Sequence, residues 1–364
     1  MTSDVSSPDA RPAPRRGRAL RRLLEIAATV LVTIFIFRRV GIDVEALAAL
    51  DPGRWSPDPL ALTGSVVALA VGYAVSASLW GKMVRELGGP TLPVRITVPL
   101  FLVANVGRYV PGKVLQIAGL TWLARGRGVP GPVAAGAAVL GQGVALLGAT
   151  LIGLAAFFSP ALEGTYRIWG WLGLAALGIF LLLTALPAPA RALERGWFRL
   201  AGTPGDRPAL SRAFGLRWTT LYALNWSIYA LAFWLLFLGL EGWAPFLYVG
   251  PAFAAAYVGG YLAIFAPAGR GVREGLLAAF LAPVLRPEAA LAVAVAARIW
   301  TTAVEVIPAA ALAPRVLAGA GDAGADPTSP GQDTGAGRSD AQGPQTPAAP
   351  RPDSRDPATP EGPE

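Results

Sequence analysis

Apolar runs of about twenty residues recur along this chain, and each is long enough to cross a ~30 Å hydrocarbon core as a helix. A chain built this way folds as an all-α polytopic membrane protein. Its balance of residues agrees: 54% are hydrophobic and only 15% charged, against roughly 25% charged in soluble domains. The net charge of +8 comes almost wholly from arginine, with lysine only at Lys82 and Lys113. Those arginines flank the apolar runs, where the positive-inside bias places them, so they speak for membrane orientation and against a nucleic-acid partner.

The chain has no cysteine and no histidine, which removes disulfides, thiolate catalysis, imidazole acid–base work and the usual zinc sites. No metal or cofactor is expected. The first apolar run, from Leu23, ends at Arg38-Arg39 without a small-residue cleavage site, so it reads as a retained span.

Three regions follow from composition. Residues 1–22 form a basic, flexible cytoplasmic arm, residues 23–317 the membrane domain, and residues 318–364 a tail rich in Ala, Gly, Pro and Asp. The tail lacks aromatics and cannot bury enough apolar surface to offset the entropy of ordering, so it is expected to be disordered. Crossings are expected at 23–40, 60–81, 131–158, 168–187, 218–240 and 289–313. The arginine-rich segment 188–217 is expected as a cytoplasmic loop, with both termini cytoplasmic. The Arg-over-Lys, Ala/Gly-rich usage points to a GC-rich bacterial source, and the expected location is the bacterial cell (inner) membrane.

Two further apolar stretches are interrupted. The first, Asn105 to Gly119, carries Arg108, Lys113 and Gln116 around a Pro111-Gly112 break. The second carries Pro267, Gly269, Arg270, Gly271, Arg273 and Glu274. Proline removes a backbone donor and glycine permits a reversal, so both breaks are hinges. A single crossing through the first would strand Arg125 and Arg127 outside, whereas a re-entrant hairpin keeps them with Arg95 inside. The preferred count is therefore six crossings plus two re-entrant hairpins of opposite orientation; the rival is eight ordinary spans. Gly119-Leu120 and Gly275-Leu276 follow their prolines at equal offsets, a short match that fits either an inverted repeat with broken helices near the midplane or chance.

Charges at bilayer depth are costly and mark functional sites. After each break a helix restarts with unpartnered N–H groups and the positive end of its dipole. With Arg108 and Lys113 at one end, and Arg270 and Arg273 at the other, the sequence describes two anion-binding mouths suited to phosphate. Glu274 is placed to neutralise Arg273 at rest. The bland alternatives are a structural Arg273–Glu274 pair and arginines that snorkel to headgroups. Arg298 and Glu305 lie two turns apart on the last span, about 10 Å along the axis, so each needs a partner elsewhere; Arg298 is placed to complement Glu274. Asn225 and Gln142 are expected to join helices. The glycines at 131, 136, 141, 148 and 153 lack the four-residue step of a dimer ridge and are expected to serve close packing within the fold.

The stretches Gly-Arg-Tyr-Val-Pro-Gly-Lys at 107–113 and Pro-Ala-Gly-Arg-Gly-Val-Arg-Glu-Gly at 267–275, with Arg298-Ile-Trp, resemble the flippase-like transmembrane family related to the membrane part of lysylphosphatidylglycerol synthases. The resemblance covers roughly 20–315. It implies movement of a charged or glycosylated lipid between leaflets, without the soluble aminoacyl-transferring domain that many members also lack. It implies membrane lipids, anionic or polyprenyl-linked, as ligands, and envelope-biosynthesis enzymes as partners. Two departures stand out: Leu140-Gly-Gln-Gly143 replaces the acidic residue frequent in the span after the first motif, and Ala268 stands where glycine is common. Three functions are thus in play: a lipid translocase, a non-transporting membrane partner of a glycosyltransferase or synthase, and an intramembrane enzyme relying on Glu274 or Glu305.

Overall fold

A computed structural model describes residues 57–109, 114–162, 164–185, 214–262 and 272–321, and every regular element among them is helical. The arm, the first expected crossing, most of the 188–217 loop and the tail beyond 321 lie outside the described residues. So do Pro111, Gly112, Lys113, Pro267, Gly269, Arg270 and Gly271.

The longest elements are α1 (Pro59–Glu86), α4 (Gly131–Leu154), α5 (Arg167–Ala185), α6 (Phe214–Glu241) and α9 (Pro287–Gly321). With short flanking turns, these supply five helices long and apolar enough to cross a membrane, at the places where five of the six crossings were expected. Between them lie two pairs of shorter helices, α2 (Val94–Asn105) with α3 (Val114–Arg125), and α7 (Phe246–Leu262) with α8 (Val272–Leu281). At 1.5 Å per residue α2 and α3 each span about 18 Å and α8 about 15 Å, well short of a ~30 Å core.

Boundaries follow local chemistry. Asp58 caps α1, its Oδ1 accepting from the N–H groups of Leu60 at 2.8 Å and Ala61 at 3.3 Å, with Pro59 in the first turn. The helix runs on through Lys82 and Arg85, which were expected in the following turn, because both side chains stay on the exposed face. It stops at Gly88, whose φ of 85° favours glycine. At its start, α6 takes in residues 214–217 of the expected loop. At the far end α9 continues through Pro308 and Pro314 to Gly321, four residues into the expected tail. At its end α2 gives way to a 3-10 turn, Val106–Tyr109, just before Pro111-Gly112, which lie outside the described residues. A Cβ on Gly107 would lie 2.7 Å from the backbone N of Gln116, so the chain doubles back closely here.

Helices α1 and α6 run antiparallel along their whole length. Asp58 N–H donates to the Gly239 carbonyl at 3.0 Å at one end, and Trp218 Nε1 donates to Glu86 at 3.0 Å at the other, where Arg217 also pairs with Glu86. In lipid such packing draws on van der Waals contact and not on exclusion of water, so small residues let backbones approach. Helix α4 uses glycine for this: a Cβ at Gly148 would sit 2.7 Å from Ala223 N of α6, and one at Gly153 would sit 2.8 Å from Ala255 N of α7.

Both short pairs turn back towards their own origin. At the α1–α2 connection a Cβ on Gly89 would lie 3.0 Å from Val133, just past the end of α3. In the other pair, Tyr248 near the start of α7 donates to the Phe280 carbonyl near the end of α8, while Gly260 at the end of α7 abuts Arg273 at the start of α8. The first pair is rooted beside the Glu86–Arg217 end of the α1–α6 pair and the second beside its Asp58–Gly239 end. Outermost is α5, whose Trp169, Trp171, Ile179, Phe180 and Leu182 are exposed, a composition suited to acyl chains.

Candidate functional site

Helix α9 joins the two inward ends. Arg298 and Glu305 share one of its faces, two turns apart, and each reaches a different helix pair. Arg298 Nη1 meets Glu274 Oε1 of α8 at 2.8 Å. Glu305, 1% exposed, meets Arg108 Nη2 at 3.3 Å and accepts from the Tyr109 hydroxyl at 2.8 Å. That hydroxyl also lies 3.5 Å from Thr302 Oγ1. Replacing one member of such a pair leaves a buried charge uncompensated, so the two pairs tie both short helix pairs to a common strut. Gln116 Nε2 donates to Asn105 Oδ1 at 2.7 Å, stapling the start of α3 to the end of α2.

Between these elements lies a cavity of about 210 Å³, room for roughly seven waters. Its lining includes Arg108, Gln116, Arg273, Arg298, Thr302 and Glu305. An aromatic wall of Tyr73, Trp226, Tyr229, Tyr257 and Tyr261 completes it. Helices α1 and α6 are tied across it by Asn225 Nδ2 donating to Ser76 Oγ at 2.7 Å, with Ser76 2.8 Å from the Tyr229 hydroxyl. The Asn225 Oδ1 is buried without a hydrogen-bond partner.

Arg273 differs from the other two arginines. Among the described residues it makes no ion pair; its guanidinium carbon sits 4.9 Å from the Phe253 ring centroid and 5.7 Å from that of Tyr257. Cation–π contact of this kind satisfies the guanidinium face and leaves its N–H edge for an anion.

A family model described as Lysylphosphatidylglycerol synthase TM region matches residues 22–309. The chain belongs to that family. No curated protein matches it in a whole-sequence comparison. The family model covers both helix pairs, the cavity and Arg298 and Glu305 of α9, so the arrangement above lies wholly within the matched region. Every described element is part of this membrane assembly, and no separate soluble catalytic domain occurs among the described residues.

Of the residues singled out in sequence, Arg108, Gln116, Arg273 and Arg298 line one cavity, and Glu274 lies beside it on Arg298. The expected rest state differs in one respect. Glu274 meets Arg298 across the helix interface, and Arg273, next to it in sequence, turns to the aromatic rings instead. Adjacent residues on a helix point about 100° apart, so Glu274 faces α9 while Arg273 faces α7. Glu305 and Tyr109 proved to be partners, a pairing not foreseen. The available signal was the Tyr109 hydroxyl inside an apolar motif, which has to find an acceptor.

Proposed function

We propose that this member of the family is a lipid translocase of the bacterial cytoplasmic membrane, moving an anionic or glycosylated lipid between leaflets. The observation that carries the reading is Arg273: a cation without a carboxylate partner among the described residues, facing a cavity at which two broken helix pairs converge. Intramembrane cations are rare and default to a functional role. The two pairs act as re-entrant hairpins, one rooted at each face of the bilayer. In sequence, Lys113 and Arg270 fall in the two interrupted stretches and add to their cationic character. The phosphate is held by arginine edges and by the N-terminus of α8, while acyl chains stay in the bilayer. Opening of one hairpin and then the other exposes the headgroup to each leaflet in turn.

The test is translocation of labelled phospholipids and polyprenyl phosphates in proteoliposomes, wild type beside Arg273→Ala. Translocation by the wild type that falls at least about tenfold in the variant, equivalent to ~1.4 kcal/mol, supports the proposal. Absence of translocation of every lipid by correctly inserted wild-type protein overturns it and favours a non-transporting partner of an envelope glycosyltransferase or lipid synthase.

A further inference from the structure

Among the described residues, the charges at the cavity do not cancel. Three arginines, Arg108, Arg273 and Arg298, face two glutamates, Glu274 and Glu305. Among the described residues Arg298 meets Glu274 and Arg108 meets Glu305, while Arg273 forms no ion pair. A ligand carrying one net negative charge neutralises the described cavity, and a net cation meets repulsion in a medium of low dielectric. The rings of Phe253 and Tyr257, surfaces on which a ligand cation is commonly held, already carry the Arg273 guanidinium.

The remainder of the wall offers neutral hydrogen-bonding groups. Asn225 is 1% exposed, gives its Nδ2 to Ser76 and leaves Oδ1 buried without a partner. Gln142 Nε2 lies 3.5 Å from the Tyr257 hydroxyl, a long contact that a better acceptor would displace. Burying an acceptor such as Asn225 Oδ1 unpaired is unfavourable, and a ligand hydroxyl satisfies it.

We propose that the cavity selects a phosphodiester lipid whose headgroup is otherwise uncharged and bears hydroxyls, and rejects headgroups carrying an additional amine. The phosphodiester seats on the Arg273 edge and a hydroxyl donates to Asn225. This assignment rests on the translocase reading of the same cavity and narrows its substrate. It runs against the simplest inference from the family's description, which names a lipid with a lysyl group: phosphate and two ammonium groups give that lipid a net charge of +1. Here the polar lining suits glycerol or sugar.

The experiment is competition for the full-length protein in detergent, with fluorescent short-chain phosphatidylglycerol as probe. Unlabelled phosphatidylglycerol, phosphatidylmethanol and lysylphosphatidylglycerol are the competitors. Phosphatidylglycerol is expected to displace the probe at least about tenfold more effectively than the lysyl lipid. Phosphatidylmethanol, of equal charge but without hydroxyls, is expected to fall severalfold below phosphatidylglycerol. Arg273→Gln should abolish the preference over the lysyl lipid, Arg273→Lys should retain it, and Arg217→Gln, which removes a cation at the far end of α6, should leave it intact. Equal or tighter binding of the lysyl lipid to wild type overturns the charge assignment, and equality of phosphatidylmethanol and phosphatidylglycerol overturns the hydroxyl assignment. Binding preference without translocation would sink the translocase and keep the selectivity. Translocation of both lipids at equal rates and affinities would do the reverse.

Discussion

Glu305 is the most deeply buried charge on the cavity wall, and its surroundings set two effects of opposite sign. Its carboxylate is 1% exposed, while Arg108 across the pair keeps 30%. Removing one partner of a fully buried pair costs about 3–5 kcal/mol; the residual exposure of Arg108 places Glu305→Gln lower, at about 1–3 kcal/mol. That loss is read as a lower melting temperature in detergent. A double-mutant cycle with Arg108→Gln is expected to give a coupling of about 0.5–3 kcal/mol, since the two residues share one interaction. Binding of an anionic headgroup should move the other way. Without the carboxylate, Arg108 joins Arg273 as an uncompensated cation, so phosphatidylglycerol binds more tightly to Glu305→Gln even as the protein melts sooner. A parallel loss of both would show that the pair serves only the fold.

At the scale of elements, the glycines of α4 divide by what a side chain would strike. Gly148→Leu pushes into the backbone of α6 and Gly153→Leu into that of α7; neither backbone can rotate aside as a side chain would. Overpacking typically costs about 1–3 kcal/mol, and contact with backbone lies at or above the upper end. Both variants are expected to reduce the yield of monodisperse protein on size exclusion. Gly119→Ala in α3 is the counterpart. A Cβ there meets nothing within 4 Å, so the gain in helix propensity, about 1 kcal/mol, should appear as a raised melting temperature.

The same elements mark how far sequence reaches. Spans were legible because apolar length is a local property, whereas the hinges expected at Pro111-Gly112 and at Pro267, Gly269 and Gly271 lie outside the described residues. Which acid meets which arginine was only partly legible. Arg298 and Glu305 needed outside partners on helix geometry alone, and Glu274 was named for one of them. The Tyr109–Glu305 bond, the ring faces under Arg273 and the wall of tyrosines depend on how α1, α6, α7 and α9 meet. No local pattern encodes that. The close approach of Gly107 to the backbone of Gln116 likewise depends on how α2 and α3 meet.

For the whole molecule, the arrangement predicts a specific pattern of exposure, and the absence of native cysteine makes it directly testable. Arg85, Arg95, Arg125 and Arg217 lie where α1 ends, α2 starts, α3 ends and α6 begins, the end at which Gly89 meets Val133. Asp58, Trp243 and Glu288 lie at or near the start of α1, the end of α6 and the start of α9. The positive-inside bias assigns the first group to the cytoplasm. Single cysteines at Thr91 and Arg125 bracket the first helix pair, and single cysteines at Trp243 and Glu288 bracket the second; all four positions are exposed. With re-entrant pairs, an impermeant maleimide added to right-side-out vesicles labels Trp243→Cys and Glu288→Cys and spares Thr91→Cys and Arg125→Cys. If each short pair instead made a single crossing, Thr91 and Arg125 would fall on opposite sides, and so would Trp243 and Glu288. Labelling of only one member of either bracket would therefore remove that hairpin. It would also remove the two-gated path to Arg273, because a headgroup at the cavity would then have a broken helix guarding one leaflet alone.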